Sequence, residues 1–142
     1  MLMKFAVLGV SLMLSVWACA NNNGNDPSAR CDHTDPQTFN VKVIVGKDQS
    51  KKPRVDKETI VACFDDDIVF DGEREEDGEG EVNFEILFKN DSPFEKNLNS
   101  SKGKASGKVK ANPPRGKQVV YKYGVKVPGY PELDPRIVIS PR

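Results

Sequence analysis

The chain has 142 residues, 37% of them hydrophobic and 30% charged, enough for one domain with a core of ordinary size. Its 21 Lys and Arg balance its 21 Asp and Glu, so no net field draws the molecule to nucleic acid. A single histidine and three cysteines outside any CxxC spacing make a reactive or metal-binding thiol pair the weaker alternative to a structural disulfide, and no GxSxG context marks a serine nucleophile.

In chain order, the first stretch is Met1 to Ala20, MLMKFAVLGVSLMLSVWACA. Lys4 supplies a positive n-region, and Phe5 to Trp17 is an apolar run too short to span a bilayer comfortably. Small residues follow at Ala18, Cys19 and Ala20, so the segment reads as an export signal. Val16-Trp17-Ala18-Cys19 resembles the lipobox of bacterial lipoproteins, in which the cysteine is lipidated and becomes the mature N-terminus. That resemblance implies a lipid on Cys19 and a membrane anchor. Ala20, which follows the cysteine, is similar to the outer-membrane sorting pattern of such proteins, because it is not the Asp that retains them inside. The same small residues also satisfy ordinary signal cleavage after Ala20, which leaves a periplasmic or secreted soluble domain as the alternative.

Three regions are therefore expected: a signal over 1–19, a flexible tether over 20–35 and a folded domain over 36–142. Most of the tether's first half is Asn21-Asn22-Asn23-Gly24-Asn25-Asp26-Pro27-Ser28, which has no apolar residue to bury. Acylating or removing Cys19 leaves an even number of cysteines. In an oxidising compartment Cys31 and Cys63 are then expected to form one disulfide, pinning the end of the tether to the domain. His33 lies in the same segment and is expected to be an exposed loop residue.

The domain itself shows period-two alternation. Phe39, Val41, Val43 and Val45 make one face of a strand, and Lys47 to Pro53 breaks it. Thr59 to Phe64 and Ile68 to Phe70 are short β-branched runs expected in the core. Asp71 to Gly80 carries three glycines and six acids and predicts a solvated loop. Val82, Phe84, Ile86 and Phe88 alternate most clearly of all, before Asn90-Asp91-Ser92-Pro93 turns the chain. Asn97 to Gly107 is dominated by Ser, Asn, Lys and Gly and predicts a mobile loop, with a short strand after it over Gly107 to Ala111. Val119 to Val127 is a long strand, and Ile137-Val138-Ile139 is the last. The expected fold is all-β: a single Greek-key β-sandwich of about seven strands.

The order of pieces resembles the cupredoxin family. Asp66-Asp67-Ile68-Val69-Phe70 matches its "GD-aliphatic-V-F/W" segment, Ile86-Leu87-Phe88-Lys89-Asn90-Asp91 its apolar strand running into Asn, and Tyr121-Lys122-Tyr123 with Ile137-Val138-Ile139 its closing hairpin. Immunoglobulin-like sandwiches share the alternation, but the only Trp is Trp17, so their Cys…Trp…Cys arrangement is missing. The cupredoxin resemblance implies a fold without its copper. Val125 lies in the region of the expected cysteine ligand, Asp91-Ser92-Pro93 stands where the first histidine would be, and the methionines all lie within Met1 to Met13. No cofactor and no electron transfer are expected.

Other chemistry is equally thin. Glu73, Glu75, Asp77 and Gly78 imitate an EF-hand loop, but Phe84 occupies the place of its bidentate carboxylate. A looser calcium site using several of Asp65, Asp66, Asp67, Asp71, Asp77 and Glu79 is the alternative to a plain wet loop, and would make the domain a calcium- or small-ligand-binding sandwich that works through its acidic loop. The expected function is non-catalytic binding at the cell envelope, to a protein or an anionic surface polymer. Loops of opposite charge would carry it, with Glu75, Glu76 and Asp77 in one and Lys102, Lys104 and Lys108 in the other, at opposite ends of the strand Glu81 to Lys89 as two separate patches.

Overall fold

The computed structural model describes residues 30–76 and 80–142. The expected signal, Cys19 and most of the expected tether lie outside the described residues, as does Asp77. Within them the chain forms only strands: β1 (Thr38–Val45), β2 (Arg54–Val55), β3 (Thr59–Cys63), β4 (Asp67–Arg74), β5 (Glu85–Phe88), β6 (Leu98–Asn99), β7 (Lys104–Lys108), β8 (Val119–Lys126) and β9 (Arg136–Ser140). They build two sheets, ordered β2-β1-β4-β7 and β3-β9-β8-β5-β6. Seven strands have four or more residues, and β2 and β6 are two-residue additions at sheet edges. The result is the expected all-β sandwich, with two mixed sheets.

Alternation decides which face of each strand is buried, because successive side chains leave a strand on opposite sides. Val41, Val43 and Val45 of β1 and Ile68 and Phe70 of β4 face Ile86 and Phe88 of β5, Tyr123 and Val125 of β8, and Ile137 and Ile139 of β9, all within one apolar cluster. Phe70 from one sheet meets Tyr123 from the other edge to face, ring centroids 5.7 Å apart at 67°, a favoured aromatic geometry. Two pairings are parallel and long-range: β1 runs with β4 from Thr38↔Asp67 to Val45↔Arg74, and β3 runs with β9 from Thr59↔Arg136 to Cys63↔Ser140. These registers give the sandwich two ends. Cys63, Asp67 and Ser140 lie at one; Val45, Arg74, Glu85 and Lys126 lie at the other.

Three segments differ from their sequence expectation. Strand β4 continues through Asp71, Gly72, Glu73 and Arg74, which composition assigns to a loop, because each finds a β1 partner from Lys42 to Val45. Gly72 is needed there: a Cβ on it would lie 2.3 Å from the carbonyl oxygen of Val82, so the segment crossing over β4 requires a residue without a side chain. Conversely, Val82 and Phe84 are buried as expected but precede the strand, which starts at Glu85. The Phe84 N–H donates to Ser100 Oγ at 2.7 Å.

The expected mobile loop Asn97 to Gly107 is instead ordered as β6, a tight turn and β7. Leu98 and Ala105 are its buried anchors, and β7 pairs with β4 from Asp71↔Lys104 to Asp67↔Lys108. Phe94 fills the space above Gly107, where a Cβ would come within 2.7 Å of the ring. The hydrophilic look of this strand comes from its outer face, Lys104, Ser106 and Lys108, along a sheet edge that charge protects from further pairing.

Candidate functional site

At the first end of the sandwich the turn Cys63-Phe64-Asp65-Asp66 joins β3 to β4. The Asp66 N–H donates to the Cys63 carbonyl at 3.2 Å, and Asp65 takes the positive φ of 72° that the turn requires, a conformation Asp tolerates better than most residues. This points the Asp66 side chain inward, where it has no solvent exposure. A buried carboxylate must be compensated, and Asp66 is. It accepts from the N–H groups of Gln37 at 2.9 Å and Cys63 at 2.8 Å, and His33 Nε2 lies 2.9 Å from both oxygens. Arg142 Nη2 stands 3.4 Å away and donates through Nη1 to the Thr34 carbonyl at 2.7 Å.

His33 is therefore not the exposed loop residue that its position suggests: its side chain is only 10% exposed. Its other ring nitrogen, Nδ1, is 2.6 Å from the carboxylate of Asp32. Hydrogen bonding to Asp66 and then to Asp32 raises the imidazole above its ordinary range. Burial pushes the Asp66 carboxyl up, but the bonds from Gln37, His33 and Cys63 outweigh it and hold the group below its ordinary value. The disulfide expected between Cys31 and Cys63 is present, with Cα atoms 5.8 Å apart, and the Cys31 N–H donates to the carbonyl of Pro141 at 2.6 Å. The last residues of the stretch read as a tether are thus fastened to the domain by one covalent bond and several polar ones.

The charged loops are arranged differently from the expectation. Lys104 pairs with Asp71 at 3.5 Å, and Lys108 lies 3.7 Å from Asp65 and 3.1 Å from Asp67. Glu75 pairs with Arg54 at 2.8 Å and Glu76 with Lys47 at 2.6 Å. Lys104 and Lys108 of β7 thus pair with acids of β4 and of the turn before it, whereas Glu75 and Glu76 find their partners on β2 and in the segment after β1. The acids proposed for a loose calcium site are divided likewise: Asp66 turns inward to His33, while Asp65, Asp67 and Asp71 face lysines. Asp77 and Glu79 lie outside the described residues. Lys102 occupies the turn before β7 with φ 52°.

Nor do the loops sit at opposite ends. The turn after β5 doubles the chain back, so that β6 pairs with the strand it left, Glu85↔Asn99 and Ile86↔Leu98. This returns Ser100 to Gly103 beside Glu81 to Asn83, where Asn83 Oδ1 accepts from the Gly103 N–H at 3.2 Å. Around these residues lies a groove of about 460 Å³ lined by Asn83, Phe84, Glu85, Asn99, Ser100, Lys126 and Pro128. A smaller hollow of about 210 Å³ shares Asn83 and Pro128 with it and extends to Arg74, Glu81 and Tyr130. Both are at the end opposite Asp66. Their polar lining is built from amide, hydroxyl and single charged groups that bind by hydrogen bonding.

One further surface is apolar and open to solvent. Val61 of β3 and Val120 of β8 both pair with Val138 of β9, forming a row on the outer sheet face in which Val61 is 53% and Val120 51% exposed.

The fold and this site define a small two-sheet β-sandwich with a disulfide-pinned N-terminal segment at one end and polar grooves at the other. No family model and no curated protein matches the chain. Asp66 and Asn83, on which the two ends turn, carry no distinguishing sign in the sequence: Asp66 is one of three successive acids, and Asn83 occupies the polar phase of an alternating run.

Proposed function

We propose that this protein is an exported, lipid-anchored module of the cell envelope that works by non-catalytic binding, and that it resembles a cupredoxin fold without copper. Its working surface is the groove-bearing end around Asn83, Asn99, Ser100 and Lys126. The observation that carries this reading is polarity. The segment arriving from the anchor enters at Cys31, which is bonded to Cys63 at one end of the sandwich, and the grooves lie at the other. An anchor on Cys19 would therefore hold the clasped end toward the membrane and turn the grooves outward, toward an envelope protein or an anionic surface polymer. Glu75, Glu76 and Lys102 belong to the groove-bearing end, whereas Lys108, at the last β7 register with Asp67, does not. Charge there is mixed and favours selectivity over a strong long-range pull.

The experiment has two arms. Fatty-acid labelling of cells should mark the wild-type protein and not Cys19→Ala, because a cleaved signal cannot otherwise hold a protein at the membrane. Photo-crosslinking groups placed at Lys102 and Lys126 should capture an envelope component, and the same group at Lys108 should not. Equal capture from all three positions would refute the assignment of the surface, and labelling that persists in Cys19→Ala would refute the anchor.

A further inference from the structure

Beside the buried Asp66, four side chains of metal-ligating chemistry converge. One donor atom from each of Cys31, Asp32, His33 and Cys63 lies within 4.8 Å of all the others. In the oxidised protein the two sulfurs are spent on each other. We propose that, once the disulfide is reduced by a dithiol, Cys31, Cys63, His33 and Asp32 bind one zinc ion, so that the N-terminal segment is pinned by metal in place of the covalent bond.

The donor set comprises two thiolates, one imidazole and one carboxylate. Borderline-soft Zn²⁺ takes these groups in a tetrahedron, whereas calcium and magnesium prefer oxygen alone. The backbone already fits. At a Zn–S distance of about 2.3 Å, two thiolates on a tetrahedral ion sit roughly 3.8 Å apart, within reach of cysteines whose Cα atoms are 5.8 Å apart. The Cys31 main chain is held by Pro141 and that of Cys63 by Asp66, so both thiols stay in place after reduction.

The histidine is supported as a ligating histidine usually is. Asp66 accepts from Nε2 at 2.9 Å, which fixes the ring and leaves Nδ1 directed at Asp32 Oδ1, 2.6 Å away. A metal ion would replace the proton that these two atoms share, and the buried carboxylate behind the ring would strengthen the ligand. Asp32 is 93% exposed, so the ion has a path from solvent.

The electron and proton balance is simple. Thiol–disulfide exchange breaks the Cys31–Cys63 bond, transfers two electrons from the dithiol, which itself becomes a disulfide, and leaves two protonated thiols on the protein. Zinc binding then releases both thiol protons, and the Nδ1 proton when His33 carries one.

The test uses the purified full chain, oxidised or reduced with a phosphine, and titrated with Co²⁺ as a spectroscopic stand-in for zinc. The reduced chain should bind one equivalent, with sulfur-to-cobalt charge-transfer bands and the intense visible bands of tetrahedral cobalt, and Zn²⁺ should displace it. The oxidised chain should show neither feature. His33→Ala and Asp32→Asn should each weaken binding at least tenfold. Asp32→Asn changes an exposed side chain, and its melting midpoint without metal, measured alongside, separates lost ligation from a loosened clasp. Zn²⁺ should also raise the melting midpoint of the reduced chain and leave the oxidised one unmoved. Cobalt bound without charge-transfer bands, affinity within twofold of wild type in both variants, or no zinc shift on the reduced chain would each overturn the proposal.

Discussion

Asp66, wholly buried, accepts from His33 Nε2 at 2.9 Å through both carboxylate oxygens, across 33 positions of sequence. Asp32 lies against the other ring nitrogen, and Arg142 approaches the same Asp66 carboxylate. The clasp is therefore an ion network in which His33 favours the protonated form and Asp66 the ionised one. A group whose value is raised by folding contributes fully below its unfolded value, about 6.5 for histidine, and loses that contribution as pH rises through the folded value. A carboxyl held low contributes above about 3.9 and loses its contribution as pH falls through the lower folded value. The melting midpoint should thus be highest between about pH 4 and 6.5 and decline on the alkaline side. His33→Gln should flatten the alkaline limb and leave the acid limb in place; a wild-type midpoint constant from about pH 6 to 9 would count against the clasp.

Removing the centre of the network is expected to be costly. In Asp66→Ala, the N–H groups of Gln37 and Cys63 lose their acceptor and His33 loses its counter-charge, a loss of about 3 to 5 kcal/mol for a broken buried network. Urea unfolding of the full chain under non-reducing conditions measures it. A loss below about 1 kcal/mol would mean that solvent replaces these bonds.

The disulfide should contribute through the unfolded state. Cys31 and Cys63 are 32 positions apart, and a loop of that length corresponds to about 3 to 4 kcal/mol in the loop-entropy model. Cys31→Ser should lose about this amount, and the intact non-reduced wild-type protein should show no free thiol at either position by mass spectrometry.

Tyr123 makes the opposite prediction. Its hydroxyl is buried and has no hydrogen-bond partner among the described residues, and burial, with Asp56 adding to it, pushes its ionisation upward. Since an unsatisfied buried hydroxyl is unfavourable, Tyr123→Phe should be neutral or stabilising by about 1 kcal/mol while keeping the ring contact with Phe70. Calorimetry showing a lowered midpoint would reveal an ordered water serving the hydroxyl.

Gly72 tests the crossing of Val82 over β4. Because its Cβ would meet a backbone carbonyl, Gly72→Ala should cost about 1 to 3 kcal/mol, the range for forced overpacking. It should also broaden the amide signals of Val82 and Phe84 in NMR spectra. An unperturbed Val82 would show that the segment moves aside freely.

The sequence by itself determined the strands with clear alternation and their buried faces. The alternations at Val41, Val43 and Val45, at Ile86 and Phe88, and at Tyr123 and Val125 are local, and period two leaves one answer for which side faces the core. It also pointed to the disulfide, because setting Cys19 aside with the expected signal leaves an even cysteine count. Tertiary structure decided what the charges do. Whether Lys104 faces solvent or Asp71 depends on the β4–β7 register, and whether His33 is exposed depends on a turn 33 positions later that aims Asp66 inward. The loop-like composition of 97–107 concealed a strand for the same reason: Leu98 and Ala105 are few and small, and only the pairing with β4 and the cover of Phe94 make them sufficient. Hydrophobic burial is written residue by residue along a chain, whereas ion pairs and polar networks join positions that only the folded backbone brings together.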